Sequence, residues 1–274
     1  MQVLNQGNQI DEGFLHCTNC SLDFPIINKI PILWNDFTNY LSSRPILGGE
    51  LFIAAKNNKM KSFVKNALSK IHKNSNSVAV IEKRWAGIYK TNKNSRFYSK
   101  IKRMVNSTHY GIALEHGCSI GHMTGHLAKN SDVAFGIDKS FYAISEAKKN
   151  KSQNLDFFVA DSLEHPFGKT KFDLVLALNL FELIEPKPLL KVLAGQVKKG
   201  GVLALSDPYD FERGAKSVKE PIYEKSLRKD LARRGFTLSN NTRKPSFVPW
   251  NLKLNERASL NYLVDLVFAT KSRL

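Results

Sequence analysis

Residues 113–130, "ALEHGCSIGHMTGHLAKN", combine an acidic residue with a glycine-rich turn. Gly117, Gly121 and Gly125 recur at spacings of four, and Glu115 stands just before the first of them. A turn of this kind between a strand and a helix lets a ligand approach the backbone closely. A nucleotide pyrophosphate would prefer G-x-G-x-x-G, and a carboxylate beside the turn would repel it. Glu115 would instead attract an ammonium group.

Two further acidic residues end the apolar segments that follow. Asp138 ends "VAFGID", and Asp161, followed by Ser162, ends "LDFFVAD". Polar side chains at the carboxyl ends of neighbouring strands suit a binding site. The alternative for each aspartate is a helix cap, and for each glycine a tight turn with close packing.

Alternating strands and helices are expected from residue 109 onward. Continuous apolar segments predict five strands, and helical spacing predicts helices over about 121–130, 141–151 and 187–199. The strand segments are "YGIALEHG", "VAFGID", "LDFFVAD", "FDLVLALNL" and "GGVLALSD". Strands that are apolar on both faces are typical of a parallel sheet with helices on each side. The sequence therefore predicts an α/β, doubly wound domain. "GFTLSN" and "YLVDLVFATK" add two strands, joined by a long segment that contains "VPWNLKLNER".

The first 108 residues differ from this pattern in two ways. Residues 1–40 contain short apolar pieces, prolines and a C-x-x-C sequence, Cys17 and Cys20, which favour a small ribbon of strands. Residues 41–108 place apolar side chains at three- and four-residue spacing, which predicts helices. We therefore predict a ribbon-like segment over 1–40, a helical lid or linker over 41–108 and a binding domain over 109–274.

Composition limits the class of protein. The chain has 274 residues, of which 42% are hydrophobic, enough for a large core. Neither a secretory leader nor an apolar segment long enough to span a membrane is apparent. Three cysteines do not suggest a disulfide framework. These features predict a soluble, cytoplasmic protein with no membrane partner.

The charge is strongly positive and unevenly distributed. The formal net charge is +17, and between Lys56 and Arg103 there are fourteen lysines or arginines and one acid, Glu82. Such a segment would attract RNA or another polyanion. The alternative is a solvated surface without a specific partner.

The motifs together resemble those of the class I S-adenosylmethionine-dependent methyltransferases, whose first motif reads E-x-G-C/T-x-x-G, as "EHGCSIG" does. The resemblance covers residues 109–208 and implies a Rossmann-like, seven-stranded sheet with S-adenosylmethionine as cofactor. The resemblance implies that Asp138 binds the ribose of the cofactor and that Asp161 and Ser162 lie against its adenine. It also implies that "ALNLFELI" lies near the methionine part. The implied cofactor-binding residues are Glu115, Gly117, Cys118, Gly121, Asp138, Lys139, Asp161, Ser162 and Asn179.

The exit of the fifth strand bears on the substrate. "SDPYD" is similar to the N/D-P-P-Y signature of nucleic-acid amino-methylating enzymes, but that signature follows the fourth strand. The segment from "ALNLFELI" to "SDPYD" looks more like small-molecule methyltransferases such as the N-methyltransferase domain of ovothiol biosynthesis. That subfamily usually has Asp-Arg where this chain has Glu182-Leu183. A small-molecule acceptor is the first expectation.

The N-terminal segment has its own resemblance. "GFLHCTNCSLDFPIINKIPIL" looks like the zinc-ribbon module that activates tRNA and protein methyltransferases and is also found fused to them. A structural zinc site needs four ligands, and here Cys17 and Cys20 have only the adjacent, poorly placed His16. We expect a ribbon without metal that packs against the catalytic domain.

The reaction implied is an in-line displacement by a substrate nucleophile, with a base to remove a proton where one is lost. Candidate catalytic residues are Glu182, Tyr209 and Asp207, and candidate substrate-binding residues are Tyr89, Asp210, Trp250 and Arg257. Trp85, Tyr89, Phe97 and Tyr98 are expected in a lid over the cofactor, with simple core packing as the alternative. An RNA methyltransferase and a cofactor-binding protein without turnover are the other hypotheses.

Overall fold

The structure is a computed structural model that describes residues 4–6, 9–71, 78–92, 95–212 and 218–273, with side chains from residue 10 onward. Twelve strands lie in these ranges. They are β1 Leu4–Gln6, β2 Gln9–His16, β3 Asp23–Ile27, β4 Ile30–Leu33, β5 Tyr110–His116, β6 Ser131–Asp138, β7 Leu155–Ala160, β8 Phe172–Leu178, β9 Val197–Asp207, β10 Phe236–Leu238, β11 Val248–Asn255 and β12 Ala258–Lys271.

Nine α-helices lie in the same ranges. They are α1 Phe37–Ser42, α2 Pro45–Ala54, α3 Asn58–Ser69, α4 Val78–Thr91, α5 Arg96–Val105, α6 His122–Leu127, α7 Phe141–Ala147, α8 Pro186–Gln196 and α9 Glu224–Arg233. Two short 3-10 helices follow α6 and β10, at Ala128–Asn130 and Asn240–Thr242.

The strands form one mixed sheet in the order β1-β2-β3-β4-β7-β6-β5-β8-β9-β12-β10, with β11 paired to β12. Strands β4, β7, β6, β5, β8 and β9 are parallel, whereas β12 runs antiparallel to β9. The seven strands from β7 to β10 in this order are the predicted Rossmann-like sheet. Because β5 lies between β6 and β8, the strand order reverses there, and ligands of α/β sheets bind at such a point.

The N-terminal ribbon continues this sheet. Strands β2, β3 and β4 form an antiparallel ribbon, as the sequence of residues 1–40 indicated. Its last strand pairs in parallel with β7, through Ile32 opposite Val159 and Leu33 opposite Ala160. Ile27, Ile30 and Ile32 are fully or almost fully buried in a cluster with α1–α3 and α7. The ribbon is thus an edge of the central sheet.

Two elements differ from the sequence expectations. The helix expected over 187–199 ends at Gln196, because Val197 already pairs with Phe172 at the start of β9. The long C-terminal segment contains a strand, β11, whose hairpin with β12 pairs Val248 with Val264 and Trp250 with Tyr262. Tertiary pairing with β12 and burial of alternate apolar side chains explain why this segment is extended.

Helices α1–α3 pack near β3, β4 and β7, whereas α5 packs near β5, β8, β11 and β12. Amphipathic α3 and α5 bury Met60, Val64, Phe97 and Ile101. Lys59 and Lys65 of α3 are exposed, whereas Lys100 and Lys102 of α5 are half-buried. Helix α5 packs against β11, and α4 contacts both α7 and β11. No helix within the described ranges combines the length and apolar character that a membrane crossing requires.

Candidate functional site

A cavity of about 610 Å³ lies at the carboxyl ends of β5, β6, β7 and β8. One wall, which we call the strand-end wall, comes from the residues that end or follow these strands. The opposite wall, which we call the added wall, comes from Trp34, α4, Tyr98 and Trp250. Residues predicted to act in the site that line the cavity are Tyr89, Glu115, Gly117, Cys118, Asp138, Lys139, Asp161, Ser162, Asn179, Glu182 and Trp250.

The glycine turn after β5 has a backbone that requires glycine at two places. Gly117 has φ +62°, and a Cβ there would lie 2.5 Å from the Leu180 side chain. Gly121 has φ +71°, and a Cβ there would lie 2.5 Å from the ring of Phe157. Both values are in the left-handed region, which disfavours other residues. Gly117 lines the cavity, whereas Gly121 lies behind it and permits α6 to approach the sheet closely.

Glu115 and His116 lie on opposite faces of β5 because side chains alternate along a strand. The buried Glu115 carboxylate lines the cavity and accepts a hydrogen bond from Thr124 Oγ1. Burial raises the pKa of Glu115 from 4.5 to about 8. His116 points away from the cavity to Gln196 of α8, with 2.7 Å between Nε2 and Oε1, and burial lowers its pKa to about 4. Glu115 is therefore a buried acid that a cationic ligand would ionise.

Asp138 joins the glycine turn to the start of α7. Its Oδ2 accepts from the Ser119 backbone N–H at 2.9 Å, and its Oδ1 accepts from the Ser140 N–H at 2.8 Å. Each carboxylate oxygen keeps a second lone pair for a ligand. Burial raises the pKa of Asp138, and the negative charge of Glu82 contributes to the same shift. Asp138 is thus a fixed acceptor in the cavity wall.

The ends of β7 and β8 complete the strand-end wall. Asp161 Oδ1 accepts from the Leu163 N–H at 2.7 Å and shapes the turn after β7, and the adjacent Ser162 is buried. Asn179 has φ +55°, and its Oδ1 accepts from Ser206 Oγ at 2.8 Å. These contacts hold the two strand ends in place beside the glycine turn.

Two of the three candidate catalytic residues do not line the cavity. Asp207 is buried, and its carboxylate accepts from the backbone N–H groups of Phe181 and Tyr209 at 2.9 and 2.8 Å. Burial, with a contribution from Glu182, raises the pKa of Asp207 to about 7. Asp207 therefore positions the loop that carries Glu182, and only Glu182 of the three reaches the cavity.

Tyr209 belongs to a separate buried group. Its hydroxyl donates to Asp265 Oδ2 at 3.1 Å, and Arg228 makes a two-point ion pair with the same carboxylate at 2.6 and 2.9 Å. Burial and the charge of Asp265 raise the pKa of Tyr209. The structure corrects the expectation that Tyr209, Asp210 and Arg257 face the substrate, since none of them lines the cavity. Arg257 is exposed in the β11–β12 turn.

The added wall is largely aromatic. Trp85 and Tyr89 of α4 have ring centroids 5.7 Å apart, and the Tyr89 and Trp250 rings are nearly parallel with centroids 6.4 Å apart. Tyr98 of α5 lines the same wall. Phe97, which was expected in the lid, is instead fully buried against Trp250. The predicted lid segment therefore supplies three of its four aromatic side chains to the cavity.

Trp34, Glu82 and His122 are among the cavity residues that the sequence reasoning missed. Trp34 follows β4, Glu82 lies on α4, and His122 begins α6 with its Nε2 2.9 Å from Lys102 Nζ. Glu82 had a signal in the sequence, because it is the one acid in a basic segment of 48 residues, 56–103. Trp34 and His122 carried no such signal.

The C-x-x-C pair lies in the turn between β2 and β3, far along the sheet from β5. Both cysteines are free, and backbone N–H groups of Asn19 and Cys20 lower the pKa of Cys17. His16 Nδ1 lies 2.9 Å from Asp23 Oδ1 across the ribbon. Over the described residues, no group of three or more histidine, cysteine, aspartate or glutamate side chains has a geometry suited to a metal ion.

Residues 114–205 match the family profile described as Methyltransferase domain. This part of the chain is an S-adenosylmethionine-dependent methyltransferase domain. The match extends from Leu114 in β5 to Leu205 in β9, and so it includes every strand end of the strand-end wall. No curated protein sequence matches the methyltransferase at a significant level.

Solved structures share the fold of this methyltransferase. A chain of the Haloferax volcanii complex that contains the Trm112 methyltransferase activator is 14% identical, with a TM-score of 0.53 over 70% of this chain and 97% of that one. The DhpI–SAH complex is 16% identical, with a TM-score of 0.52 over 72% and 96%. The N-methyltransferase NodS of Bradyrhizobium japonicum WM9 is 16% identical, with a TM-score of 0.50 over 65% and 98%. These identities support a common fold.

Proposed function

We propose that the methyltransferase acts on a small molecule, by N- or O-methylation through an in-line displacement. The observation that carries this proposal is the cavity itself, in which strand-end carboxylates and an aromatic wall face one another across a space of about 610 Å³. A volume of this size is typical of sites that bury small ligands. DhpI and NodS share the fold, and NodS is an N-methyltransferase.

The strand-end wall fits S-adenosylmethionine, which supplies an electrophilic methyl group on a sulfonium. Glu115 would attract the ammonium of its methionine part, and ionisation of this buried acid is favoured by a cation. Asp138 would accept hydrogen bonds from the ribose. Asp161 and Ser162 would lie against the adenine, with Asn179 near the methionine. Gly117, Cys118 and Lys139 line the same wall, and the absence of a side chain at Gly117 lets Leu180 pack against the turn.

Glu182 is the candidate base among the predicted catalytic residues. It is 9% exposed, lines the cavity and lies on a loop that Asp207 holds by accepting a hydrogen bond from the Phe181 backbone N–H. A carboxylate so fixed could accept a proton from an amine or hydroxyl nucleophile. Asp207 is proposed as a positioning residue because it acts through the backbone of this loop.

The added wall would hold the acceptor and exclude water. Trp85, Tyr89, Tyr98 and Trp250 present ring faces and edges, against which an apolar or cationic acceptor can pack. Bringing nucleophile and methyl group to a near-attack distance is the largest contribution that such a wall can make to the rate. The reaction needs no nucleophilic side chain of the protein.

Transfer of labelled methyl from S-adenosylmethionine into a cell extract would test the proposal. We expect label in the small-molecule fraction, and no label with the Asp138→Ala variant, whose cofactor site is impaired. Label in the RNA or protein fraction would overturn the small-molecule assignment. If the wild-type chain binds the cofactor in calorimetry but transfers no label, the acceptor is absent from the extract used. The assay would then be repeated with extracts of cells grown under other conditions.

RNA is the second candidate acceptor, favoured by the basic helices. Most lysines of α3 and α4 are exposed, and a second cleft is lined by Lys100 and Arg103 of α5 with Asn241, Thr242 and Ser246. Binding to phosphates would weaken steeply with salt. Salt-dependent binding of bulk RNA, lost on joint replacement of Lys100 and Arg103 by glutamine, would favour this candidate.

The division of the chain into a ribbon-like segment (1–40), a helical segment (41–108) and a methyltransferase domain (109–274) is also proposed. The ribbon is proposed to act without metal, as an edge of the sheet that positions α1–α4. Burial of Ile27, Ile30 and Ile32 supports this role. Stoichiometric zinc in the purified protein would overturn it.

A further inference from the structure

Glu82, the one acidic residue of the basic segment 56–103, is buried in the cavity wall. Glu82 of α4 is 7% exposed and lines the cavity, whereas the neighbouring Lys83 and Arg84 are exposed. A charged side chain is costly to bury unless it is paired. Arg44, at the start of α2, provides that pair: its Nε donates to Glu82 Oε2 at 3.0 Å and its Nη2 donates to Oε1 at 2.6 Å.

Arg44 is itself held on several sides. Its Nη1 donates to the Tyr40 carbonyl at 3.1 Å, and its guanidinium lies 4.4 Å from the centroid of the Tyr40 ring. Tyr40 in turn donates its hydroxyl to the carbonyl of Lys139 at 3.0 Å. Because Lys139 directly follows Asp138, this chain of contacts ties Glu82 to the strand end proposed to bind the ribose.

The two carboxylates are close enough to influence one another. Asp138, Glu82, Lys139 and Ser140 all line one cavity, and the charge of Glu82 contributes to the raised pKa of Asp138. Arg44 fixes the Glu82 carboxylate in a planar two-point contact and leaves the second lone pair of each oxygen available. Buried ion pairs contribute little to stability on average, so stability alone is a weak reason for this one.

We infer that Glu82 is a second cofactor-binding carboxylate, which accepts a hydrogen bond from one ribose hydroxyl while Asp138 accepts from the other. Arg44 is its positioning residue. The inference rests on the proposed function, since it requires S-adenosylmethionine at the strand-end wall. Because Glu82 lies on α4, the cofactor would contact this helix directly. Cofactor binding would therefore order the added wall, against which the acceptor packs.

The test uses calorimetry with S-adenosylhomocysteine and its 2′-deoxy and 3′-deoxy analogues. In the wild type, each deoxy analogue should bind about tenfold more weakly, as expected for loss of a hydrogen bond to a charged group. In Glu82→Gln, S-adenosylhomocysteine should bind about tenfold more weakly, and one of the two analogues should show no further loss. The inference would be overturned if both deoxy analogues lost as much affinity, relative to S-adenosylhomocysteine, in Glu82→Gln as they lose in the wild type.

Glu50→Gln is the matched control. Glu50 lies on α2 and also contacts α4 and α7, through Lys83 at 3.3 Å and the Tyr142 hydroxyl at 2.7 Å, but it does not line the cavity. If Glu82 only tethers α4, Glu50→Gln should weaken binding of S-adenosylhomocysteine about as much as Glu82→Gln does. The affinity that each deoxy analogue loses relative to S-adenosylhomocysteine would then be the same in both variants as in the wild type. We expect Glu50→Gln to bind like the wild type.

A second variant avoids any dependence on the folding of Glu82→Gln. In Asp138→Ala, which removes both acceptor oxygens of this residue, the inference predicts that one deoxy analogue still binds about tenfold more weakly than S-adenosylhomocysteine, because Glu82 still accepts from that hydroxyl. If Asp138 alone contacts the ribose, both losses disappear and the inference is wrong. Failure of the wild type to bind S-adenosylhomocysteine at all would instead overturn the proposed function.

Discussion

The two walls of the cavity were built in different ways. The strand-end wall comes from residues 115–123, 138–143, 160–163 and 178–185, each at the end of a parallel strand. The added wall comes from Trp34, α4, Tyr98 and Trp250, which are far apart in sequence and meet only in the fold. The first wall carries all but one of the carboxylates that line the cavity, and the second carries all of its tryptophans and tyrosines. We therefore expect cofactor affinity to depend mainly on the first wall, with Glu82 of α4 as the exception, and acceptor affinity to depend on the aromatic side chains of the second.

The largest effect is expected from Asp138→Asn, which should weaken S-adenosylhomocysteine about a hundredfold, or about 2.7 kcal/mol. It removes an acceptor for the ribose and one of the two bonds that hold Ser119 and Ser140. Calorimetry provides the measurement. Asp132→Asn is the control, because Asp132 lies on the same strand with a side chain 72% exposed and pairs with His109. If Asp138→Asn binds S-adenosylhomocysteine with unchanged affinity, Asp138 is not part of the cofactor site.

Glu115 should make cofactor affinity depend on pH. Its carboxyl has a pKa of about 8 when buried without a cation, and so binding of an ammonium near neutral pH requires release of a proton. Affinity for S-adenosylhomocysteine should therefore rise up to about tenfold from pH 6.5 to 7.5, where the ligand's amino group is still largely charged. Glu115→Gln should abolish this rise and weaken binding about tenfold at pH 7.5.

The same group predicts the direction of a stability change. Since the pKa of Glu115 is raised in the folded protein, its contribution to stability is complete below pH 4.5 and is lost as the pH rises towards 8. Thermal unfolding without ligand should show a smaller fall in Tm over this range for Glu115→Gln than for the wild type. An identical fall in both proteins would show that Glu115 is already ionised.

Replacement of Trp85 should separate the two walls. Trp85→Ala removes an aromatic side chain of α4 from the added wall, so we expect KM for the acceptor to rise about fivefold. Affinity for S-adenosylhomocysteine should change by about twofold or less. The control is Arg84→Ala, since Arg84 is the exposed neighbour on the same helix. An equal loss of cofactor and acceptor affinity would contradict the assignment of separate walls.

The smallest effect is expected from Tyr209→Phe. The variant loses the hydrogen bond to Asp265, which should lower the free energy of unfolding by about 1 kcal/mol. Since Tyr209 does not line the cavity, the kcat of methyl transfer should stay within about twofold of wild type. A loss of tenfold or more in kcat without a change in KM would restore Tyr209 as a catalytic residue.

Local sequence patterns sufficed for the strand-end wall. Apolar segments that end in Glu115, Asp138 and Asp161 predicted both the strands and the positions of their acids, because parallel strands bring their carboxyl ends to one edge. The spacing of Gly117 and Gly121 predicted a turn that the structure forms with positive φ at both. Asp207 and Tyr209 show the limit of this reasoning. Asp207 ends β9 and Tyr209 follows it, yet the Asp207 side chain accepts from backbone N–H groups and the Tyr209 hydroxyl donates to Asp265.

The sequence by itself determined the class of fold, the cofactor and the strand ends, because these depend on residues close together along the chain. Only the tertiary structure decided the added wall. Trp250 reaches the cavity because β11 pairs with β12, and Glu82 is buried because Arg44, 38 residues away, provides its counter-charge. Such contacts depend on distant segments that no local pattern specifies. A charge in a basic segment is solvated or buried according to what packs against it.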